Sequence, residues 1–157
     1  MDQDRPRSCV RTSALAGRRR RRAPDLQTLR GENVAGVPGL RMVAVAVDAR
    51  EPETLASFWA AALGADIVRR WQDSHGTPYV EVALLGETVL LFQAVASPTE
   101  GKNRMHLDLA TPAGSDQQDE LGRLVALGAA VLDVAPDHPW VVMADPEGNE
   151  FCVLPAE

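Results

Sequence analysis

A chain of 157 residues has room for about one ordinary domain, and a hydrophobic fraction of 45% suits a globular protein. No run of ~20 apolar residues is present, which excludes a helical membrane span; Cys9 and Cys152 are too few for a disulfide framework. The net charge of -6 is unevenly spread: residues 1–39 hold nine arginines against four acidic residues, a surplus of five, and residues 40–157 hold seven basic against eighteen acidic, a deficit of eleven.

An acidic body is a poor general nucleic-acid binder, so nucleic acid is not an expected partner. The arginine-rich start lacks the apolar core of a secretory signal. A cytoplasmic protein without a Cys9–Cys152 bridge is expected. Residues 1–38, with Arg18–Arg22 and scattered Pro and Gly, show no useful period and are expected to be a disordered extension. The alternatives are a basic arm for an anionic surface and an Arg-rich presequence, against which Asp2, Asp4 and Asp25 count. A single domain is expected over 39–157, in two units, 40–95 and 103–155.

The first unit opens with Arg41–Val47, a valine-rich run that fits a buried strand. Asp48 and Pro52 signal a helix start. Leu55, Phe58, Trp59, Ala62 and Leu63 then lay one apolar stripe along a helix that Gly64 ends. Strands are predicted over Asp66–Trp71, Tyr79–Leu84 and Thr88–Phe92, with turns at 74–78 and at Gly86. The second unit repeats the order. A strand over Met105–Ala110 leads to a helix with Ser115 and Gln118 as its capping box. Leu121, Leu124 and Val125 form the helix stripe, and Gly128 stops it. Strands over Val131–Val134, Trp140–Ala144 and Glu150–Leu154 follow, the last two joined by a turn at Asp145-Pro146-Glu147-Gly148-Asn149.

The landmarks recur at near-constant offsets. Arg41-Met42 matches Arg104-Met105, Ala62-Leu63-Gly64-Ala65 matches Ala126-Leu127-Gly128-Ala129, and Gly86 matches Gly148, at offsets of 63, 64 and 62 residues. The chain therefore reads as α+β, two tandem βαβββ units whose paired curved sheets surround a cleft. Each helix needs a sheet face to cover.

This pattern resembles the vicinal oxygen chelate superfamily of glyoxalases, extradiol dioxygenases and bleomycin- and fosfomycin-resistance proteins. Phe58-Trp59, Ala62-Leu63-Gly64, Asn103–Leu109, Leu127-Gly128-Ala129 and Asp145–Cys152 carry the resemblance. It implies metal ligands of His or Glu type on the first and last strands of each unit, facing a shared cleft. Transferred to this chain, those positions fall on Val43 and His106, and on Leu90 and Cys152. Two of the four are apolar, so a metal cofactor is not expected. If a divalent metal is held, His106 with Cys152 or Glu150 would hold it.

His106 and Asp108 stand two residues apart on one strand face, where a carboxylate can orient an imidazole for acid/base work. The alternative is a structural pair, with Asp108 bonded to His106 or to Arg104 or Arg41. Trp71, Tyr79 and Trp140 are aromatics in or beside strands that can wall an apolar pocket; Trp59 belongs to a helix stripe and is expected in the core. Arg104, Glu150 and Cys152 complete the expected ligand-binding set. Gln93 stands either at a cleft rim or at a solvated strand end, and His75 lies in an exposed turn. The expected partner is a small molecule, bound with or without turnover, and a homodimer is the form in which superfamily members often pair. An enzyme of lyase, isomerase or dioxygenase type is the alternative.

Overall fold

The computed structural model describes residues 39–99, 101, 103–134 and 137–156. The arginine-rich extension, and the readings attached to it, lie outside the described residues. The first unit runs β1 (Ala44–Ala49), α1 (Pro52–Leu63), β2 (Ile67–Gln72), β3 (Pro78–Ala83) and β4 (Val89–Ala94). The second runs β5 (Leu107–Ala110), α2 (Gln117–Ala126), β6 (Ala130–Asp133), β7 (Val141–Ala144) and β8 (Glu150–Leu154). Each unit forms its own four-stranded sheet, ordered β1-β4-β3-β2 and β5-β8-β7-β6. The first strand of each runs parallel to the last, and the remaining pairs are antiparallel. In both units the helix carries the chain from one sheet edge to the other, covering one face on the way. The fold is α+β with two tandem βαβββ units.

Local signals set the helices. Pro52 is the first residue of α1, and Gly64 closes it at φ 61°, a left-handed conformation that costs glycine little. Leu55, Ala56, Phe58 and Trp59 are buried. In α2 the cap is Asp116 rather than Ser115, with its carboxylate accepting the Gln118 N–H at 2.7 Å. Ser115 falls one residue early, in a turn that its own N–H closes on the Pro112 carbonyl.

Strand register sorts the side chains by face. Val45, Leu90 and Val82 form one row, and Val47, Phe92 and Val80 the next, all in the core that α1 shares. In the second sheet Leu107, Phe151 and Met143 form the matching row, packed with Leu121 and Leu124. Asp108, Cys152 and Val142 share a row on the opposite face, distal to the helices.

This sorting corrects the alignment expected from the Arg-Met and Gly landmarks. Leu90 lies on the helix side and Cys152 on the distal side, so the two are not counterparts; Val43, two residues before Val45, takes the helix side, whereas His106, two before Asp108, takes the distal side. Matching the faces makes Ala46 the counterpart of Asp108 and Leu91 the counterpart of Cys152, since Ala46 pairs with Leu91 as Asp108 pairs with Cys152. Landmarks outside the strands fix register only to within a residue, and a slip of one exchanges the faces. The corrected first-unit positions are again apolar.

The two units meet through α1. Trp59 and Phe58 pack on Phe151 with ring centroids 5.2 and 6.3 Å away. The Trp59 indole donates to Asp145 Oδ2 at 3.0 Å. The cap position of α1, Glu51, has no side-chain cap of its own. Glu147 supplies one, accepting the N–H groups of Arg50 at 2.8 Å and Glu51 at 2.9 Å. At the other end Arg123 donates to the carbonyls of Ala61 at 3.0 Å and Ala62 at 2.9 Å. A carboxylate at the N-terminus and a guanidinium at the C-terminus both satisfy orphan backbone groups and oppose the helix dipole. The joint thus lies on the helix side of both sheets. Among the described residues, the strands β1 and β5 are sheet edges that hydrogen-bond to no strand of the other unit.

Candidate functional site

The residues with most chemistry converge on the helix-distal face of the second sheet. His106 Nε2 lies 3.3 Å from Asp108 Oδ1, with the imidazole partly buried and the carboxylate more exposed. Alternation from His106, just before β5, to Asp108 within it places both on this face, and register brings Cys152 directly beside Asp108. One donor atom from each of the three lies within 4.8 Å of the others. That spacing suits ligation of one ion by imidazole, carboxylate and sulfur. Cys152 is disulfide-bonded, and the other cysteine, Cys9, lies outside the described residues. A metal needs the thiolate, so the three-donor set exists only with Cys152 reduced. Glu150 shares the face and is buried, but stands outside this cluster. Arg104 is exposed.

The helix-distal face of the first sheet carries different chemistry. Trp71 and Tyr79 stack with centroids 4.1 Å apart and planes 7° from parallel. The Trp71 N–H donates to Glu81 at 2.7 Å, and the Arg69 guanidinium lies 5.3 Å from the Trp71 ring centroid. Asp73 Oδ1 accepts the backbone N–H of Thr77 at 3.0 Å and of His75 at 2.8 Å, and Tyr79 donates its hydroxyl to Oδ2 at 3.3 Å. The Thr77 bond above all holds the Asp73 carboxyl below the usual carboxylate range. Burial, then the Asp73 charge, pushes the Tyr79 phenol up. Gln93 donates to Asp48 at 2.7 Å. Register sets Trp71, Tyr79, Gln93 and Asp48 in one row across all four strands.

The expected ligand-binding residues therefore divide between two sheets: Trp71 and Tyr79 lie on the first, and His106, Asp108, Glu150 and Cys152 on the second. Trp140 lies with the latter, stacked on His138 at 4.2 Å and 4°. His138 Nδ1 lies 2.8 Å from the Trp140 carbonyl, which fixes the proton on that nitrogen. Trp59 is in the core and His75 is exposed, as expected. A cavity of about 320 Å³ at the junction of the units is lined by Asp48, Arg50, Asn103, Glu147 and Glu150 among others. Of the expected site residues only Glu150 reaches it.

Sequence reasoning missed Glu81 and Asp133. Glu81 alternates with Tyr79 on β3 and was open to detection by strand parity. Asp133 was not, because β6 is irregular between Val131 and Asp133, which pairs Asp133 rather than Leu132 with Val142. A bulge of this kind re-aims the residues beyond it.

Residues 44–154 match the model of the family described as glyoxalase-like domain. The chain belongs to this family. Among curated proteins none matches it. Solved structures with the same fold include the trypanothione-dependent glyoxalase I of Leishmania major, at 15% identity and TM-score 0.57, covering 74% of this chain and 87% of that one. A mutant fosfomycin resistance protein FosX of Listeria monocytogenes, complexed with Mn(II) and a dihydroxypropylphosphonic acid, gives 12% identity and TM-score 0.59 over 76% and 93%. A glyoxalase/bleomycin resistance protein/dioxygenase family enzyme from Burkholderia phytofirmans gives 19% and 0.53 over 73% and 98%. These likenesses show the vicinal oxygen chelate fold. No helix among the described residues is long and apolar enough to cross a membrane.

Proposed function

We propose that this glyoxalase-like domain, over residues 39–157, binds a small organic molecule on the helix-distal face of the second sheet. His106 and Asp108 are its acid/base pair. The observation that carries this is the 3.3 Å contact between His106 Nε2 and Asp108 Oδ1 beside a buried sheet surface. A carboxylate so placed orients the ring, which suits proton transfer to or from a bound ligand. The apolar counterparts in the first unit, Ala46 and Leu91, add no further donor.

A second reading has a specific observation behind it. The donor atoms of His106, Asp108 and Cys152 lie close enough to hold one divalent ion. Bound there, such an ion would supply Lewis-acid polarisation of a ligand oxygen. The solved FosX complex with Mn(II) supports considering it. A reducing cytoplasm would keep Cys152 in the thiolate-forming state that this reading needs.

A homodimer fits the way the units join. Because α1 docks on the helix side of both sheets, the distal faces are not brought together through β1 and β5, whose edges pair with no other strand among the described residues. A second copy could set its Trp71–Tyr79 face opposite His106 and Asp108. Sedimentation equilibrium tests this, with a monomer at all concentrations counting against it. The binding function is tested by a fragment screen read through backbone amide shifts. Compounds that move residues of β5 and β8, and lose affinity in His106→Ala, support the reading; a screen that moves neither strand opposes it.

A further inference from the structure

We infer that Asp133 and Trp140 form a recognition subsite for a primary carboxamide, or an equally close donor and acceptor pair, at the β6–β7 side of the same face. The inference rests on the proposal that this face binds a small molecule. Its basis is a pair of unmet groups: Asp133 Oδ2 and Trp140 Nε1 are buried and without a hydrogen-bond partner among the described residues. Buried polar atoms in folded proteins nearly always have partners, and an unpaired one carries a cost. One of these is an acceptor, the other a donor. Asp133 is the register partner of Val142, and Trp140 stands two residues before Val142 on the same face. Diagonal positions of this kind lie within reach of one small group.

The repeat shows why the two are unmet. Both β2 and β6 shift register near the start of the hairpin they form with the next strand, between Ile67 and Arg69 and between Val131 and Asp133, 64 residues apart in each case. Arg69 and Asp133 are therefore counterparts, and so are the residues opposite them, Glu81 and Val142. In the first unit Glu81 serves both neighbours: it pairs with Arg69 at 3.8 Å and accepts the Trp71 indole N–H. In the second unit Val142 can bond to nothing. The first face is satisfied internally, whereas the second leaves an acceptor and an indole donor for something else.

A carboxamide meets both, its N–H donating to Asp133 Oδ2 and its oxygen accepting from Trp140 Nε1. The stack on His138 holds the indole plane. The rest of the ligand would lie over Val142 toward Cys152 and Asp108, which occupy the same row.

The test uses benzamide as probe and the Trp140 indole resonance as readout, assigned through Trp140→Phe. Benzamide is expected to shift that resonance saturably, while benzoate, repelled by Asp133, is not. In Asp133→Leu the benzamide Kd is expected to rise about tenfold, the size of one bond to a charged group. The same variant should keep or raise the thermal midpoint, since an unmet carboxylate is removed. No shift with benzamide, an equal shift with benzoate, or a lower midpoint in Asp133→Leu would overturn the subsite; bridging water would account for the first and last. Fragments that move β5 and β8 without moving Trp140 leave the binding proposal standing and the subsite refuted. A Trp140 response without any response at β5 does the reverse.

Discussion

The indole N–H of Trp59 lies 3.0 Å from Asp145 Oδ2, a bond that ties the middle of α1 to the β7–β8 turn 86 residues later. Asp145 also accepts from the N–H of Glu147 at 3.0 Å and from the N–H and side chain of Asn149, both at 2.9 Å. It is buried, and these donors offset the cost of taking a polar group out of water.

Replacing Trp59 with Phe keeps a ring against Phe151 and removes one donor. The expected loss is about 1.5–3 kcal/mol, the range for a hydrogen bond to a charged group. Urea unfolding measures it, and a double-mutant cycle with Asp145→Asn separates the bond from lost ring volume. A coupling near zero would mean the bond is only geometric.

Glu147→Gln tests the borrowed cap on α1. The neutral amide keeps the shape and one acceptor but loses the charge that opposes the helix dipole. Destabilisation of about 0.5–2 kcal/mol is expected. It should be weaker at high salt, because the site is partly exposed.

The Asp73 carboxyl is held low, chiefly by the Thr77 N–H, so its contribution has a defined pH window. Stability from this group is fully present above the unfolded carboxylate value, about 3.9, and is lost as pH falls through the lower folded value. Asp73→Ala should flatten that acid limb, as read by Trp71 fluorescence. Tyr79, held high, acts in the opposite direction. Its contribution is present below about pH 10 and is lost as pH rises through the folded value.

His106→Ala should abolish any uptake of Co(II) or Mn(II) by the reduced protein. The drop should exceed the roughly 10–100-fold typical of losing an outer-shell partner. Calorimetry with and without reductant measures it. Equal uptake by both proteins would sink the metal reading, and uptake that ignores reductant would remove Cys152 from the donor set.

Much of the fold was legible because the signals were local. Pro52 and Gly64 bracket α1, and the period of its apolar residues fixes its buried stripe. The order of the eight strands follows from alternation and turn residues. Which face a strand residue takes was harder to see. Val43 and Leu90 were matched to His106 and Cys152 by the Arg-Met and Gly landmarks, and a slip of one residue placed Leu90 on the wrong side. Asp133 was hidden for the same reason, since a bulge breaks parity without leaving a clear mark in composition. Glu147 and Arg123 look like an ordinary turn acid and helix surface base, and nothing local shows that both serve α1. The pairing of His106 with Asp108 was visible because two residues of separation on one strand is itself a geometric statement.

The grip on both ends of α1 has a mechanical consequence. Glu147 and Arg123 belong to the second unit, yet they terminate a helix of the first. Swinging one unit against the other would strip caps from both ends of that helix at once and pull Trp59 off Phe151. The molecule therefore has no inexpensive hinge along this joint. Guest molecules must arrive and leave across the sheet surfaces, and their residence times should follow side-chain and loop rearrangement rather than domain opening.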